Sequence, residues 1–278
     1  MSALLPWALK LSVAALILAI GMGSRPADLL YLWRRPGLLL RSLLAMYLLV
    51  PLAAVALVRL LPMTPGLKAA LLVLAVSAGA PLLPRKLGTL DSGAYVFSLL
   101  VLSSLLAIVA VPAWVGLLAR YFGVETELAP LTVALLMAKA FLLPLGLGLG
   151  LSALFPRWAP RVAGRLMALA GALLAFSALL LLALHLEVFP ALRWEGGVAM
   201  ASMLALALAI GHLCGGPLPD DRTALAVACA TRHVGIAVLV AGAFPGPRTL
   251  VLMTGYLLAS AAVCLPYLHG RRRVRQRA

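Results

Sequence analysis

The chain has 278 residues, of which 64% are hydrophobic and only 11% charged, and its mean hydropathy is +1.10. Soluble domains average about 25% charged and about 45–50% apolar residues, so this composition excludes a soluble globular domain and indicates an integral membrane protein. The net charge of +15 also suits a nucleic-acid-binding protein, but the basic residues cluster in short loops between apolar runs. We therefore predict a lipid bilayer and no nucleic acid as partner.

Apolar runs follow one another along the whole chain. A helix needs about 20 apolar residues to cross the hydrocarbon core. The runs here are continuous, whereas barrel strands alternate apolar and polar residues, so the spans are predicted to be helices. By this criterion the sequence predicts an all-α polytopic protein with nine transmembrane helices, at about 5–23, 37–60, 66–84, 94–119, 131–154, 166–188, 197–213, 223–243 and 250–268.

The basic residues predict an orientation. Fifteen of them lie in the first, third, fifth and seventh loops and in the tail at 270–278, and six lie on the other side. The positive-inside rule then places the N-terminus outside and the basic C-terminal tail in the cytoplasm, as an odd number of helices requires. We expect the cell (inner) membrane.

The first segment allows a second interpretation. Its apolar core at 11–20 has the length found in a signal peptide, but only Lys10 supplies basic charge near its start. We expect a retained transmembrane helix, and cleavage is the alternative.

The third and eighth segments are interrupted near their middle. The third contains Gly-Ala-Pro-Leu-Leu-Pro at 79–84, and the eighth contains Thr-Arg-His before Gly235. Two interrupted segments in corresponding halves of a membrane protein predict a central binding site between them. The candidate substrate-binding residues are Ala80, Pro81, Leu82, Leu83, Thr231, Arg232 and His233.

Arg232 is the ionisable residue that stands out, because charge at the centre of a span costs roughly 2.5–3.5 kcal/mol on insertion scales. Its planar fork of donors suits a carboxylate, sulfate or phosphate. His233 is a second donor that titrates near neutral pH. The alternative is structural: Arg232 pairs with freed backbone carbonyls and only holds the crossing together.

Lys139 is a second cation within a span, and at about nine residues from the segment end it is too deep for easy snorkelling. We expect it to face the bundle interior or water, in a functional or a structural role.

All eight acids fall outside the apolar cores. Ion-coupled carriers usually hold a buried carboxylate for the coupling ion, so the pattern favours an anionic substrate. The cysteines and histidines form no metal-binding motif, and no nucleophile–base pair is visible. We therefore predict no metal site, no cofactor apart from a possible sodium ion, no catalytic residues and no enzyme activity.

Several motifs, taken in order, resemble the bile acid:sodium symporter family of secondary transporters. They are Gly-Met-Gly-Ser at 21–24 with Pro-Ala-Asp at 26–28, Lys139 with Leu-Leu-Pro at 142–144 and Gly146, and the eighth segment from 222 through Arg-His-Val-Gly-Ile-Ala at 232–237. The last of these is similar to a bacterial branch of the family.

The resemblance implies two inverted repeats with two broken helices that cross at midplane, and a core domain that moves against a panel domain. In this chain the first repeat would lack one helix, which leaves nine spans. The whole chain, 1–278, then forms one transporter domain, with repeat one at about 5–119 and repeat two at about 130–269.

The resemblance also implies where sodium would bind, and there the chain departs from the family. The family's sodium-ligating positions fall on Leu82, Leu83, Val96, Leu100, Ala228 and Arg232. None of these carries a side-chain oxygen, so sodium coupling is not expected, and the Arg232 guanidinium stands where a cation would be.

The leading hypothesis is a secondary transporter that moves a small organic anion by alternating access. Two alternatives remain: a sodium-coupled symporter that uses backbone ligands, and a non-transporting membrane receptor or subunit. The sequence indicates neither the substrate's identity nor the oligomeric state.

Overall fold

Helices account for nearly all of the residues that the computed structural model describes, which are 4–24, 26–77, 93–122, 130–186, 193–232 and 247–277. The long helices, in chain order, are α1 Leu4–Gly23, α2 Pro36–Leu60, α3 Pro65–Val76, α4 Gly93–Phe122, α5 Pro130–Leu154, α6 Ala159–Leu184, α7 Arg193–Cys214, α8 Pro219–Ala230 and α9 Pro247–Arg277. A 3-10 helix, Pro26–Leu29, and a single helical turn, Leu30–Trp33, connect α1 to α2. The predicted all-helical class is confirmed.

Five stretches of helix are long and apolar enough to cross a membrane: Pro36–Leu60, Gly93–Leu118, Ala134–Leu154, Ala159–Leu184 and Trp194–Cys214. Two shorter apolar helices, Trp7–Gly23 and Pro65–Val76, accompany them. Large apolar side chains such as Leu143 and Leu147 are exposed on the surface of the chain, where only lipid or a partner can cover them. The chain is therefore a polytopic integral membrane protein, and the count of nine spans and the inverted repeats stay predictions.

The buried apolar residues fall mainly into two clusters. One joins α1, α5 and α6, which we call the small bundle, and includes Leu16, Phe141 and Leu174. The other joins α2, α3, α4, α7, α8 and α9, which we call the large bundle, and includes Leu71 and Leu225. One face of α4, with Phe97 and Leu100, packs into the small bundle and thereby connects the two.

Two glycines allow α1 and α5 to meet backbone to backbone. A Cβ on Gly148 would lie 2.4 Å from the Leu18 carbonyl oxygen, and one on Gly21 would lie 2.7 Å from that of Leu145. Small residues permit this kind of close helix approach within membranes. The neighbouring Gly146 and Gly150 have open space at their Cβ positions, so Gly148 alone makes the contact within the glycine run.

The hairpin of α7 and α8 is packed in the same way. A Cβ on Gly211 would lie 2.5 Å from the Ala226 Cα, and one on Gly215 would lie 2.3 Å from the Arg222 Cα. The chain turns at Gly216, whose φ of +80° favours glycine. These contacts press α8 against α7 and place the end of α8 among buried residues of the large bundle.

Helices α3 and α8 end inside the protein. Each has 12 residues, which gives a length of about 18 Å, whereas the hydrocarbon core is about 30 Å thick. Beyond them, Ser77 and Thr231 adopt extended backbone, with ψ of 152° and 114°. The helices in the predicted third and eighth segments therefore end at Val76 and Ala230, and residues 78–92 and 233–246 lie outside the described part of the chain.

Candidate functional site

The ends of α3 and α8 are joined by one side chain, that of Arg232. Its Nη1 donates to the carbonyl oxygen of Ser77 at 2.9 Å and makes a longer contact of 3.5 Å to that of Met46 in α2. Carbonyl groups at helix C-termini carry partial negative charge, which stabilises a nearby cation. This half of the guanidinium therefore acts as the structural strut that the sequence left open as an alternative.

The Met46 carbonyl is available because α2 is irregular there. Residues Ala45–Leu49 form a π turn, in which the Val50 N–H bonds to the Ala45 carbonyl. The next residue, Pro51, has no N–H to offer. The proline also leaves the Tyr47 carbonyl without a helical donor, and the Trp114 Nε1 donates to that oxygen at 2.8 Å. Side chains from α4 and from the end of α8 thus supply donors to the two backbone carbonyls of α2 that lack a helical hydrogen bond.

The other half of the guanidinium has no such partner. Arg232 is only 1% exposed, and its Nε and Nη2 have no hydrogen-bond acceptor among the residues that the structure describes. The described ion pairs contain no carboxylate paired with this charge. Buried donors left unsatisfied are costly, so these two nitrogens mark a place where an acceptor would be stabilised.

The described surroundings of Arg232 are neutral. Tyr47, Tyr256 and Cys229 are buried close enough to interact with its charge. The Tyr256 hydroxyl donates to the Ala230 carbonyl oxygen at 3.3 Å, and the Tyr47 hydroxyl donates to the Ser103 carbonyl oxygen. Both hydroxyl protons are thereby engaged by the backbone, which leaves the guanidinium as the main anion-attracting group.

Other predicted site residues divide between described and undescribed parts of the chain. Thr231 is fully buried, and its hydroxyl donates to the Val227 carbonyl at 2.6 Å, where it caps α8 next to Arg232. The remaining members of the predicted set lie outside the described residues: Ala80, Pro81, Leu82, Leu83 and His233.

Four positions implied for sodium are described: Arg232 itself, and three that are apolar and buried. Val96 and Leu100 lie on α4, and Ala228 lies in the last turn of α8. Their side chains offer no oxygen to a cation, so any ion bound near them would depend on backbone carbonyls.

Lys139 does not face the interior of the bundle, which is one of the two environments expected for it. The buried residues of α5, Met137, Phe141 and Leu145, recur at helical spacing on one face, whereas Lys139 is exposed. At 100° per residue, Lys139 lies about 200° around the helix from Met137. The lysine therefore lies on the surface of this chain.

A buried acid at the start of α8 was missed by the sequence reasoning. Asp221 is 3% exposed, and its Oδ2 lies 3.9 Å from the Arg35 Nη1. The same Arg35 nitrogen donates to the Tyr31 hydroxyl at 2.5 Å. Burial raises the pKa of Asp221 above its ordinary value, although the Arg35 charge partly opposes the shift. Its position in the first helical turn, ahead of the apolar run, made it look solvent-exposed.

The architecture is that of a polytopic membrane protein in which two short helices end beside a buried charge. Half-helices that end inside a bundle, next to a buried charge, are typical of the central sites of secondary transporters. The chain matches the Sodium Bile acid symporter family over residues 10–192 and belongs to that family. The match confirms the resemblance and, because this is a transporter family, fits the expectation that the chain is not an enzyme. It ends before α7, so Arg232 lies outside the matched residues. No curated protein matches the chain.

Proposed function

We propose that this protein is a secondary transporter that moves a small organic anion by alternating access, and that Arg232 binds the anion. The observation that supports this most is the buried guanidinium with two unpartnered nitrogens between the ends of α3 and α8. An ionisable group at such a place in a membrane protein is most often functional. A bound anion would supply the acceptor and the countercharge that the described surroundings lack.

Sodium coupling is not part of the proposal. The positions at which the family resemblance implies sodium ligands have no side-chain oxygen in this chain. They are Leu82, Leu83, Val96, Leu100, Ala228 and Arg232. The fixed guanidinium would supply the positive charge that a bound cation supplies elsewhere. The runner-up is sodium-coupled transport with backbone carbonyls as ligands, which predicts anion uptake that stops when sodium is replaced by potassium.

Alternating access would use the two bundles as the moving parts. The small bundle of α1, α5 and α6 has its own apolar cluster. Its α6 contacts α9, and it meets the large bundle mainly along one face of α4. We propose that this face is the sliding surface. In this arrangement residues 5–119 and 130–269 form two inverted repeats with nine spans, the N-terminus is outside the cell membrane, and the tail at 270–278 is cytoplasmic.

The proposal is tested by anion uptake into proteoliposomes. Arg232→Ala should abolish flux of any anion that the wild type transports. Because the change also removes the bond to the Ser77 carbonyl, flux is compared at equal amounts of folded, monodisperse protein. Lys139→Ala is the matched control, because it removes the other intramembrane cation from an exposed position, and it should transport at the wild-type rate. Wild-type flux through Arg232→Ala would overturn the proposal.

A further inference from the structure

The unpartnered nitrogens of Arg232 belong to the same edge of the guanidinium. Nη1, the terminal nitrogen that lies on the same side of the guanidinium as Cδ, donates to the carbonyl oxygens of Ser77 and Met46. Nε and Nη2, which have no partner among the described residues, point their N–H bonds in parallel on the other side. That edge is the fork that receives two oxygens of one planar group.

We infer that the site takes a monocarboxylate, held side-on by two parallel hydrogen bonds from Nε and Nη2 of Arg232. This inference rests on the proposed anion transport and specifies its substrate class. The side chain is then divided between two tasks, because Nη1 ties α2 and α3 to the end of α8 while the opposite edge binds the ligand.

The surroundings favour a carboxylate over other anions. One guanidinium balances one negative charge, and the side chains described around it are neutral, so a dianion such as phosphate or sulfate would leave a second charge buried without a described countercharge. A sulfonate has a third oxygen, which cannot lie in the plane of the fork. The Tyr47 and Tyr256 hydroxyls already donate to backbone carbonyls, so that oxygen would be desolvated without a donor from them.

The test uses purified full-length protein and three matched pairs of probes. These are acetate with methanesulfonate, benzoate with benzenesulfonate, and cyclohexanecarboxylate with cyclohexanesulfonate, each titrated while the melting temperature is followed. A ligand that binds only the folded state raises the melting temperature as its concentration rises. In at least one pair, the wild type should bind the carboxylate about tenfold more tightly than the sulfonate, because one charge-assisted hydrogen bond is at stake.

Arg232→Lys separates the two tasks. An ammonium on a flexible stem can still donate to the Ser77 carbonyl, so the ligand-free melting temperature should stay close to that of the wild type. The ammonium lacks the two parallel N–H donors of the guanidinium. Affinity for the carboxylate should therefore fall about tenfold, and the preference for the carboxylate over the sulfonate should disappear. Arg232→Gln should lose both stability and binding, and Lys139→Ala should change neither.

The outcomes separate this inference from the proposed function. Equal affinity for the two members of every pair, or a carboxylate preference that survives in Arg232→Lys, overturns the side-on carboxylate. So does the absence of any shift with all six probes. The proposed anion transport falls only if Arg232→Ala transports at the wild-type rate in proteoliposomes.

Discussion

At the scale of single residues, the backbone irregularity of α2 and the buried arginine explain each other. Pro51 withholds an N–H, and the π turn at Ala45–Leu49 redirects another. Two carbonyls then face outward from the helix, and Trp114 and Arg232 donate to them. π turns are often found at functional sites. Here the turn frees the Met46 carbonyl, which accepts from the buried Arg232 guanidinium.

This pairing predicts a coupled response to mutation. Trp114→Phe should destabilise the wild type by about 1–3 kcal/mol, because it leaves the Tyr47 carbonyl unsatisfied. In a Pro51→Ala background the new N–H can bond to that carbonyl, so the same Trp114→Phe change should cost much less. The measurement is a double-mutant cycle of thermal or denaturant unfolding. Equal costs in the two backgrounds would show that the proline does not free this carbonyl.

Asp221 predicts a dependence of stability on pH. Burial raises its pKa in the folded protein, so the native state binds the proton more tightly than the unfolded state does. The ionised carboxylate then costs stability at neutral pH, and this cost disappears as the pH falls through the raised pKa towards about 4, the ordinary value of a carboxyl group.

Asp221→Asn should therefore raise the melting temperature at pH 7 by a few degrees and flatten its rise on mild acidification. The amide can still accept a hydrogen bond and carries no charge to desolvate. A lower melting temperature of Asp221→Asn at pH 7 would mean that the Arg35 ion pair outweighs the cost of burial.

At the scale of helices, glycine positions decide how closely elements approach. The α1–α5 crossing depends on Gly21 and Gly148, and the α7–α8 hairpin depends on Gly211 and Gly215. The second contact determines how far α8 reaches into the large bundle, and therefore where Arg232 meets Ser77. Packing of backbone against backbone in this hairpin thus helps to position the site.

Gly148→Ala should destabilise the protein by about 1–3 kcal/mol, the usual cost of overpacking. The added Cβ would lie 2.4 Å from the Leu18 carbonyl oxygen and 2.9 Å from the Gly21 Cα, neither of which can move freely. Gly146→Ala and Gly150→Ala are matched controls in the same run, with open space at their Cβ positions. They should leave the stability unchanged or raise it slightly, because alanine favours a helix over glycine. The measurement is thermal unfolding of the three variants side by side. Three equal melting temperatures would contradict the crossing described here.

At the scale of the whole molecule, the distribution of basic residues predicts how the protein is oriented in the membrane. Fifteen basic residues on one side predict a cytoplasmic tail and an N-terminus outside. The short connection between α2 and α3, around Thr64, would then lie outside. The exposed Thr64 and the exposed Arg273 near the C-terminus therefore lie on opposite sides of the membrane in this topology.

Single-cysteine labelling in intact cells tests this orientation. With Cys214, Cys229 and Cys264 replaced by serine or alanine, Thr64→Cys should react with a membrane-impermeant maleimide added outside. Arg273→Cys should react only after the cells are permeabilised. The reverse pattern would invert the topology, and labelling of both from outside would show an even number of spans between them.

Much of this architecture was predictable from local sequence. Continuous apolar runs of the right length force helices, because a backbone in lipid must satisfy its own hydrogen bonds. The interruptions near Ser77 and Thr231 and the buried position of Arg232 also followed from residues adjacent in the chain. The exposure of Lys139 was not predictable in this way, because leucines lie all round α5 and only the structure shows that Met137, Phe141 and Leu145 form its buried face.

By itself, then, the sequence determined the membrane class, the family, the all-helical fold and the presence of a cation within an apolar segment. Only the tertiary structure decided which guanidinium nitrogens are engaged, why the Met46 carbonyl is free, which glycine of the run makes a contact, and that Asp221 is buried. The physical reason is range. Helix formation and insertion depend on nearest neighbours along the chain, whereas hydrogen-bond satisfaction and burial depend on residues such as Met46 and Arg232, which are distant in sequence and meet only in the folded bundle.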